Sequence, residues 1–135
     1  MAQLTLIVVT PETTVLDEQV DFVALPLYDG EIGIAPGRSP LIGRLGYGEL
    51  RLKVAGQTRR YYVDGGFVQV ANNTVSLLTH RAVPASEIDR AVAQENLNQA
   101  RARMANNDEL LAIRDRLEKQ ARAQLRLVTS GSHSH

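Results

Sequence analysis

The sequence predicts a β + α protein: an N-terminal antiparallel β-sandwich or flattened barrel followed by a C-terminal antiparallel αα-hairpin. Short apolar segments separated by glycine and asparagine turns fill residues 1–83, and strands at this spacing are typical of small sandwiches and barrels. From Ala85 through Val128 there is no glycine or proline, and helix-forming residues dominate. We therefore predict a helical hairpin over 84–128 and a disordered polar tail over 129–135.

The first strands follow from the alternation of side chains. Leu4–Val9 is apolar on nearly both faces, and residues 20–25 form a second apolar segment of strand length. The clearest alternation lies over residues 49–54, with leucine and valine on one face and charged side chains on the other. Because successive side chains of a strand point to opposite faces, this pattern predicts a half-buried strand.

Turn residues define the later strands. Residues 55–57 contain a glycine and predict a turn into a strand over 59–63. Asn72-Asn73 separates strand segments over 67–70 and 74–78. Asparagine tolerates positive φ, so this pair predicts a tight hairpin.

The C-terminal part is predicted to form two helices. Ser86 and Asp89 match a capping box that opens a helix over about 87–105. Turn-forming residues 106–108 end it, and a second helix follows over about 108–127. The apolar side chains predicted to face each other are Ala93, Leu97, Ala100 and Met104 on the first helix and Leu110, Ile113, Leu117 and Ala121 on the second.

Composition limits the function classes. The 135 residues are 44% hydrophobic but only 4% aromatic, so the core is predicted to be aliphatic. Without cysteine there is no disulfide framework, thiolate zinc site or cysteine nucleophile. The formal net charge of zero gives no general attraction to nucleic acid or anionic lipid. No segment approaches the roughly 20 apolar residues of a membrane helix, and none looks like a signal peptide.

Catalytic and metal-binding motifs are missing from the sequence. There is no G-x-x-x-x-G-K-[ST] phosphate loop, and His80 is the only histidine outside the tail. No Ser/His/Asp set or metal cluster has supportive spacing. We therefore predict no catalytic residue, no metal and no cofactor.

A turn-rich segment over residues 30–41 carries a family resemblance. Its sequence, G-E-I-G-I-A-P-G-R-S-P-L, resembles the G-E-[IL]-G-[IL]-x-P-G-H-x-P-L signature of the epsilon subunit of F-type ATP synthase, called delta in mitochondria. Arg38 stands where the family usually has histidine. Further along, G-G-F-V-Q-V over 65–70 resembles the family's G-G-F-x-E-V, with Gln69 in place of glutamate.

The resemblance implies a non-catalytic central-stalk, or rotor, subunit. Its partners would be the gamma subunit and the membrane c-ring, and it would couple ion flow to ATP synthesis. By resemblance, Gly30, Glu31, Ile32 and Gly33 would contact the c-ring. The alternative is a turn that contacts nothing. The chain would lie peripherally, through the complex, on the cytoplasmic or stromal face of an energy-transducing membrane, and we expect the bacterial inner membrane.

The same resemblance makes the hairpin a regulatory element that restrains ATP hydrolysis when it extends towards the alpha and beta subunits. The basic side chains expected to meet an acidic segment of the beta subunits are Arg114, Arg116, Lys119, Arg122 and Arg126. The alternative is a solvated helix face with i,i+4 pairs Asp115–Lys119 and Glu118–Arg122.

Some family members bind ATP on the folded hairpin through an [IL]-D-x-x-R-A motif. Residues 88–93 match it except that Val92 replaces the arginine. Asp89, Arg122 and Arg126 remain as contacts, so the sequence predicts weak ATP binding or none, because a triphosphate requires cationic or N–H donors.

Two other function classes compete with this interpretation. One is a stand-alone β-sandwich binding module with a helical oligomerisation hairpin, disfavoured by the low aromatic content. The other is an enzyme with an unrecognised site, disfavoured by the missing motifs.

Overall fold

The computed structural model describes the backbone of residues 3–132 and the side chains of residues 3–128. The chain divides into two compact units, Met1–Pro84 and Ala85–His135. The first unit is built from strands and the second from helices. The β + α fold class predicted from the sequence is therefore confirmed.

Eight strands within the described residues form one hydrogen-bonded sheet in the order β2-β1-β7-β6-β5-β3-β4, with β8 paired to β6. Their bounds are β1 (Leu4–Val9), β2 (Thr14–Val20), β3 (Phe22–Leu27), β4 (Gly30–Ile34), β5 (Leu41–Val54), β6 (Gln57–Ala71), β7 (Thr74–Leu78) and β8 (Ala82–Pro84). The pairs are antiparallel except for β1 and β7, which run parallel. A parallel pair needs a long connection, which the intervening strands β2 to β6 supply.

The sheet folds over so that its two ends share one aliphatic core. This core joins β1 and β2 at one end to β3 and β4 at the other. Two surface contacts link separate strands of the unit: Arg59 on β6 pairs with Glu18 on β2 at 2.6 Å, and the Asp21 carboxylate accepts a hydrogen bond from the Ala55 N–H at 3.1 Å. The fully buried core side chains include Leu4, Leu6, Val8, Val20, Val23, Leu25, Ile34, Leu50, Leu52, Val63, Val70 and Val75.

The two predicted tight turns are present. Asn72 and Asn73 have φ of 52° and 60° between β6 and β7, and Ala55 has φ of 52° before Gly56 at 79° between β5 and β6. Two consecutive residues at positive φ match the right-handed twist of the flanking strands. The turns therefore fix the register of β5 with β6, which is the longest antiparallel pair in the unit, and of β6 with β7.

The helical unit begins later than the sequence predicts. A 3₁₀ turn (Ala85–Glu87) precedes α1 (Arg90–Ala102), and α2 spans Asp108–Ser132. The predicted start near residue 87, with Ser86 as the cap, is therefore wrong. Asp89 is the N-cap, because its Oδ1 accepts hydrogen bonds from the Ala91 and Val92 N–H groups at 2.8 and 3.2 Å.

The helix ends also differ from the prediction. The first helix stops at Ala102 rather than near 105, and α2 continues to Ser132, so the backbone of residues 129–132 is helical where the sequence predicted a tail. Once a helix has formed, each added residue gains a hydrogen bond, and serine or threonine does not stop it. Residues 133–135 of the predicted tail lie outside the described residues.

Helix α1 buries one face, formed by Ala93, Leu97 and Ala100. On α2 the most buried residues are Ala121, Ala123, Gln124 and Leu127. Met104, predicted to lie on the buried stripe, is 75% exposed, because it falls in the connection after α1 ends.

Candidate functional site

The residues predicted to contact the c-ring lie together on β4, the edge strand of the sheet. Gly30, Glu31 and Gly33 are exposed, and Ile32 packs against the core. Ile34, fully buried, anchors the strand. Gly30 has a φ of 142°, a region that side chains rarely adopt, so the entry to β4 requires glycine. Strand β4 therefore exposes backbone groups and the Glu31 carboxylate, while Ile32 and Ile34 fix it to the core.

Glu31 is one end of a row of alternating charges, which we call the charge ladder: Glu31, Arg51, Glu49 and Arg60. The Arg51 Nη2 lies 2.7 Å from Glu31 Oε1, and its Nη1 lies 3.0 Å from Glu49 Oε1. The second oxygen of Glu49 accepts from Arg60 Nε at 2.7 Å. The hydrogen bond to Glu31, then that to Glu49, raises the pKa of Arg51 above its usual value, so the Arg51 guanidinium stays charged at physiological pH.

The outer face of the sheet carries an apolar surface that the sequence analysis did not identify. Ile42, Phe67 and Leu78 are 78%, 59% and 56% exposed. Strand register places Phe67 opposite Leu78, and Leu78 opposite Val9. Ile7 belongs to the same face in the adjacent row. We call this set the apolar face: Ile7, Val9, Ile42, Phe67 and Leu78.

Polar groups border the apolar face. At one end the Arg44 guanidinium stacks over the Tyr28 ring at 4.5 Å from its centroid. At the other end Gln19 Nε2 donates to Thr5 Oγ1 at 2.8 Å. An apolar centre with a polar rim is typical of a protein interface. The apolar nature of both faces of β1 was the sequence signal for this surface.

The loop that contains Arg38 is attached to a neighbouring turn. The Gly37 N–H donates to Asn73 Oδ1 at 2.7 Å, and the Asn73 carbonyl accepts from the Thr5 N–H at 2.8 Å. Asn73 therefore joins the loop, the β6–β7 turn and β1. The Arg38 side chain is exposed.

On α2 the predicted basic residues separate into two groups. With about 100° of rotation per residue, one exposed arc of the helix holds Arg116, Lys119, Arg122 and Arg126. Arg114 lies off this arc and is partly buried, and its Nε is 3.9 Å from Glu118 Oε1. Of the two alternative pairs, Glu118–Arg122 is present at 3.5 Å.

Of the three residues predicted as weak ATP contacts, Asp89 and Arg122 make other interactions in the structure, and Arg126 is exposed. The Asp89 carboxylate caps α1, and Arg122 pairs with Glu118. Val92, where the family motif has arginine, is 55% exposed and offers no donor. Asp89 is therefore accounted for by helix capping.

A metal site and a membrane-spanning helix each require a particular arrangement of residues. Within the described residues there is no group of three or more His, Cys, Asp or Glu side chains arranged to hold a metal. Among the same residues, no helix combines the length and apolar character needed to cross a membrane. His80 is exposed.

Known proteins resemble both the sequence and the fold. Residues 3–85 match the family described as ATP synthase, Delta/Epsilon chain, beta-sandwich domain. An ATP synthase epsilon chain of Rhodopirellula baltica is 48% identical over 120 residues, covering 89% of this chain and 94% of that protein. The epsilon chain of Carboxydothermus hydrogenoformans is 47% identical over 98 residues, 73% of each chain.

A solved structure extends the comparison to the whole fold. In the mitochondrial ATP synthase of Euglena gracilis, described as OSCP/F1/c-ring, one chain superposes with a TM-score of 0.80 at 28% identity, covering 98% of this chain and 83% of that chain. A chain of the Tetrahymena thermophila mitochondrial ATP synthase central stalk and c-ring shares the fold at 12% identity, with a TM-score of 0.74.

The fold is a strand-built unit followed by two helices, with large apolar side chains exposed on the outer face of the sheet. The chain belongs to the ATP synthase delta/epsilon chain family. This confirms the resemblance predicted from the sequence and, with it, the role of a central-stalk subunit of an F-type ATP synthase. The stand-alone binding module is thereby displaced.

Proposed function

We propose that this chain is a non-catalytic rotor subunit that connects the gamma subunit to the membrane c-ring, so that ion flow drives ATP synthesis. The observation that supports the proposal is the presence of two different exposed surfaces, the apolar face and the edge strand β4, on one sandwich. A hydrogen-bonded sheet that shares one core is stiff enough to transmit torque between the partners on these surfaces.

The gamma subunit is the proposed partner of the apolar face. Ile42, Phe67 and Leu78 expose large apolar side chains on one surface, and their burial by a partner would stabilise the complex by about 25 cal/mol per Å² of apolar area. A rotor contact must persist through every turn, and lasting interfaces are the more apolar ones. The membership of this family supports gamma as the occupant.

The c-ring is the proposed partner of the β4 edge, with Gly30, Glu31, Ile32 and Gly33 as the contact residues. The glycines keep the backbone accessible, and Glu31 supplies the charged acceptor. Such a contact places the chain peripherally on the membrane through the complex. We propose the cytoplasmic face of a bacterial inner membrane, or the stromal face in a plastid.

The helical hairpin is the proposed restraint on ATP hydrolysis. In its extended state the arc of Arg116, Lys119, Arg122 and Arg126 would contact the beta and alpha subunits, and Arg114 would contribute less because it is partly buried. A contact between a basic arc and acidic partner groups is weakened by salt. ATP binding by the compact hairpin would be weak or absent, since Val92 provides no cationic group.

Gamma binding tests the first part of the proposal. Phe67→Ser and Leu78→Ser should each weaken the affinity for gamma by about tenfold or more, because a buried large apolar side chain contributes about 1.5–3 kcal/mol. Val92→Ser is the matched control, since Val92 is as exposed but lies on α1. Unchanged gamma affinity in both sandwich variants would contradict the proposed surface.

Removal of residues 85–135 tests the regulatory part. F1 complexes assembled with the truncated chain should hydrolyse ATP faster than those with the full chain, while gamma remains bound. A rate that does not change would remove the restraint from the proposal and leave the stalk role. Loss of gamma binding would mean that the sandwich alone is not the docking unit.

A further inference from the structure

We propose that Arg51 is a positioning residue for the c-ring contact, because it holds the Glu31 carboxylate in the orientation that β4 presents. The inference rests on the proposed function of β4 and adds a residue from a different part of the chain, on β5, to that function. It also assigns a role to the charge ladder, which is otherwise unexplained.

Small side chains make the contact between Arg51 and Glu31 geometrically feasible. Strand β3 lies between β5 and β4, and its Ala24 is opposite Arg51 on one side and Gly33 on the other. Because Ala24 carries only a methyl group and Gly33 only a hydrogen atom, the Arg51 side chain has room to cross β3. Its Nη2 lies 2.7 Å from Oε1 of Glu31, which precedes Gly33 by two residues and lies on the same face of β4.

Burial along the charge ladder shows which end is fixed. The side chains of Glu49 and Arg60 are 16% and 19% exposed, whereas Glu31 is 50% exposed. Arg51 lies between them at 40% and uses its other terminal nitrogen for Glu49. The buried end therefore holds the guanidinium, and the guanidinium in turn orients the exposed carboxylate.

Stability alone does not account for this arrangement. An exposed ion pair contributes about 0–1 kcal/mol to folding, since ordering two long side chains offsets the Coulomb gain. The same ordering favours binding, because a preorganised group loses less freedom when the partner arrives. Arg51 occupies Oε1 of Glu31, and a carboxylate accepts further hydrogen bonds at its other oxygen. The expected occupant is therefore a polar hydrogen-bond donor of a c-ring loop.

The chain supplies a matched control in Arg59. It forms an ion pair with Glu18 at 2.6 Å, with side chains 43% and 32% exposed, close to the exposure of the Arg51 pair. This pair joins β6 to β2 and does not involve β4. Arg59→Gln therefore removes an ion pair of the same kind without touching Glu31.

The test measures binding of the complex between gamma and the full chain to purified c-rings in detergent. Arg51→Gln should weaken this binding about two- to fivefold, as Glu31→Gln does. The double variant should bind no more weakly than Glu31→Gln alone, because Arg51 acts through Glu31. The affinity for gamma and the melting temperature should stay at wild-type values in all of these variants, and Arg59→Gln should change nothing.

Each other outcome has a definite meaning. If Glu31→Gln weakens binding but Arg51→Gln does not, or if the two losses add, the positioning role is wrong and the proposed c-ring contact stands. If Arg51→Gln also lowers gamma affinity and melting temperature, its role is structural. If Glu31→Gln binds c-rings like the wild type, the proposed contact itself is wrong and the role of Arg51 goes with it.

Discussion

The sandwich and the hairpin are stabilised by different kinds of core. In the sandwich, large side chains such as Tyr62, Leu25 and Leu50 are fully buried. In the hairpin the buried apolar residues are mostly alanine, with Leu97 and Leu127 as the larger ones. Since burial contributes about 0.8 kcal/mol per CH₂ group, an alanine-rich contact gives much less stability. The difference is consistent with the rigid connector and the regulatory hairpin that we propose above.

A steric change at Gly66 should damage the sandwich most. A Cβ at this position would lie 1.9 Å from the carbonyl oxygen of Leu78, and φ is 115°. Because the obstacle is backbone of the paired strand β7, we expect Gly66→Ala to cost about 3 kcal/mol or more. The loss of stability is measured by urea unfolding, followed by the circular dichroism signal of the β-sheet.

Gly56→Ala separates strain from collision. Gly56 also has a positive φ, 79°, but nothing lies within 4 Å of its Cβ position. Gly56→Ala should therefore lower the free energy of unfolding by only about 1 kcal/mol. Equal losses in the two variants would show that β6 and β7 move apart easily, and the sandwich would not be the rigid region of the comparison.

The hairpin should respond to the loss of one leucine, but locally. Leu97 is 5% exposed and is the large apolar residue on the buried face of α1. Leu97→Ala should destabilise the hairpin by about 2–3 kcal/mol, measured as loss of helical circular dichroism with the sandwich still folded. Val92→Ala, at a 55% exposed position, is the control and should be near neutral. An equal shift of the β-sheet transition would show that both regions unfold as one body.

The sequence predicted the elements whose signals are local. The alternation over 49–54 and the Asn72-Asn73 pair depend on neighbouring residues, and both appear as predicted. The parallel pairing of β1 with β7 joins segments far apart in the chain, so no local pattern shows it. At the start of α1 the sequence predicted a capping box of Ser86 with Asp89, and only the structure shows that Asp89 itself is the cap that accepts the hydrogen bonds.

The candidate site was predicted in part for the same reason. The edge-strand residues around Glu31 are contiguous in sequence, whereas the charge ladder joins residues of β4, β5 and β6. The apolar face likewise needs the register of β1, β5, β6 and β7 before Phe67 and Leu78 are seen to be neighbours. On α2, helical rotation and burial together remove Arg114 from the exposed basic arc.

Removal of the α1 cap should have a moderate effect, confined to the hairpin. Asp89 Oδ1 accepts two of the N–H groups that lack partners within the helix. Asp89→Ala should therefore cost about 1 kcal/mol, measured as earlier thermal loss of helicity. Asp89→Asn keeps the acceptor and should stay close to wild type. If both variants lose the same amount, the negative charge near the helix N-terminus matters more than the hydrogen bonds.

The smallest expected effect is a gain in the sandwich. Ala55 has a φ of 52° in the β5–β6 turn, where alanine carries a strain of about 1 kcal/mol that asparagine or glycine largely avoids. Ala55→Asn should therefore raise the free energy of unfolding by about 0.5–1 kcal/mol. The hydrogen bond to the Asp21 carboxylate remains, since its donor is the backbone N–H of residue 55. Asn72→Ala, at the same φ in the β6–β7 turn, should lose a similar amount. A gain in stability for Ala55→Asn together with a loss for Asn72→Ala would show that the residue at positive φ limits the stability of these turns. A loss for both variants would show that Ala55 makes a contact that contributes more than its strain costs.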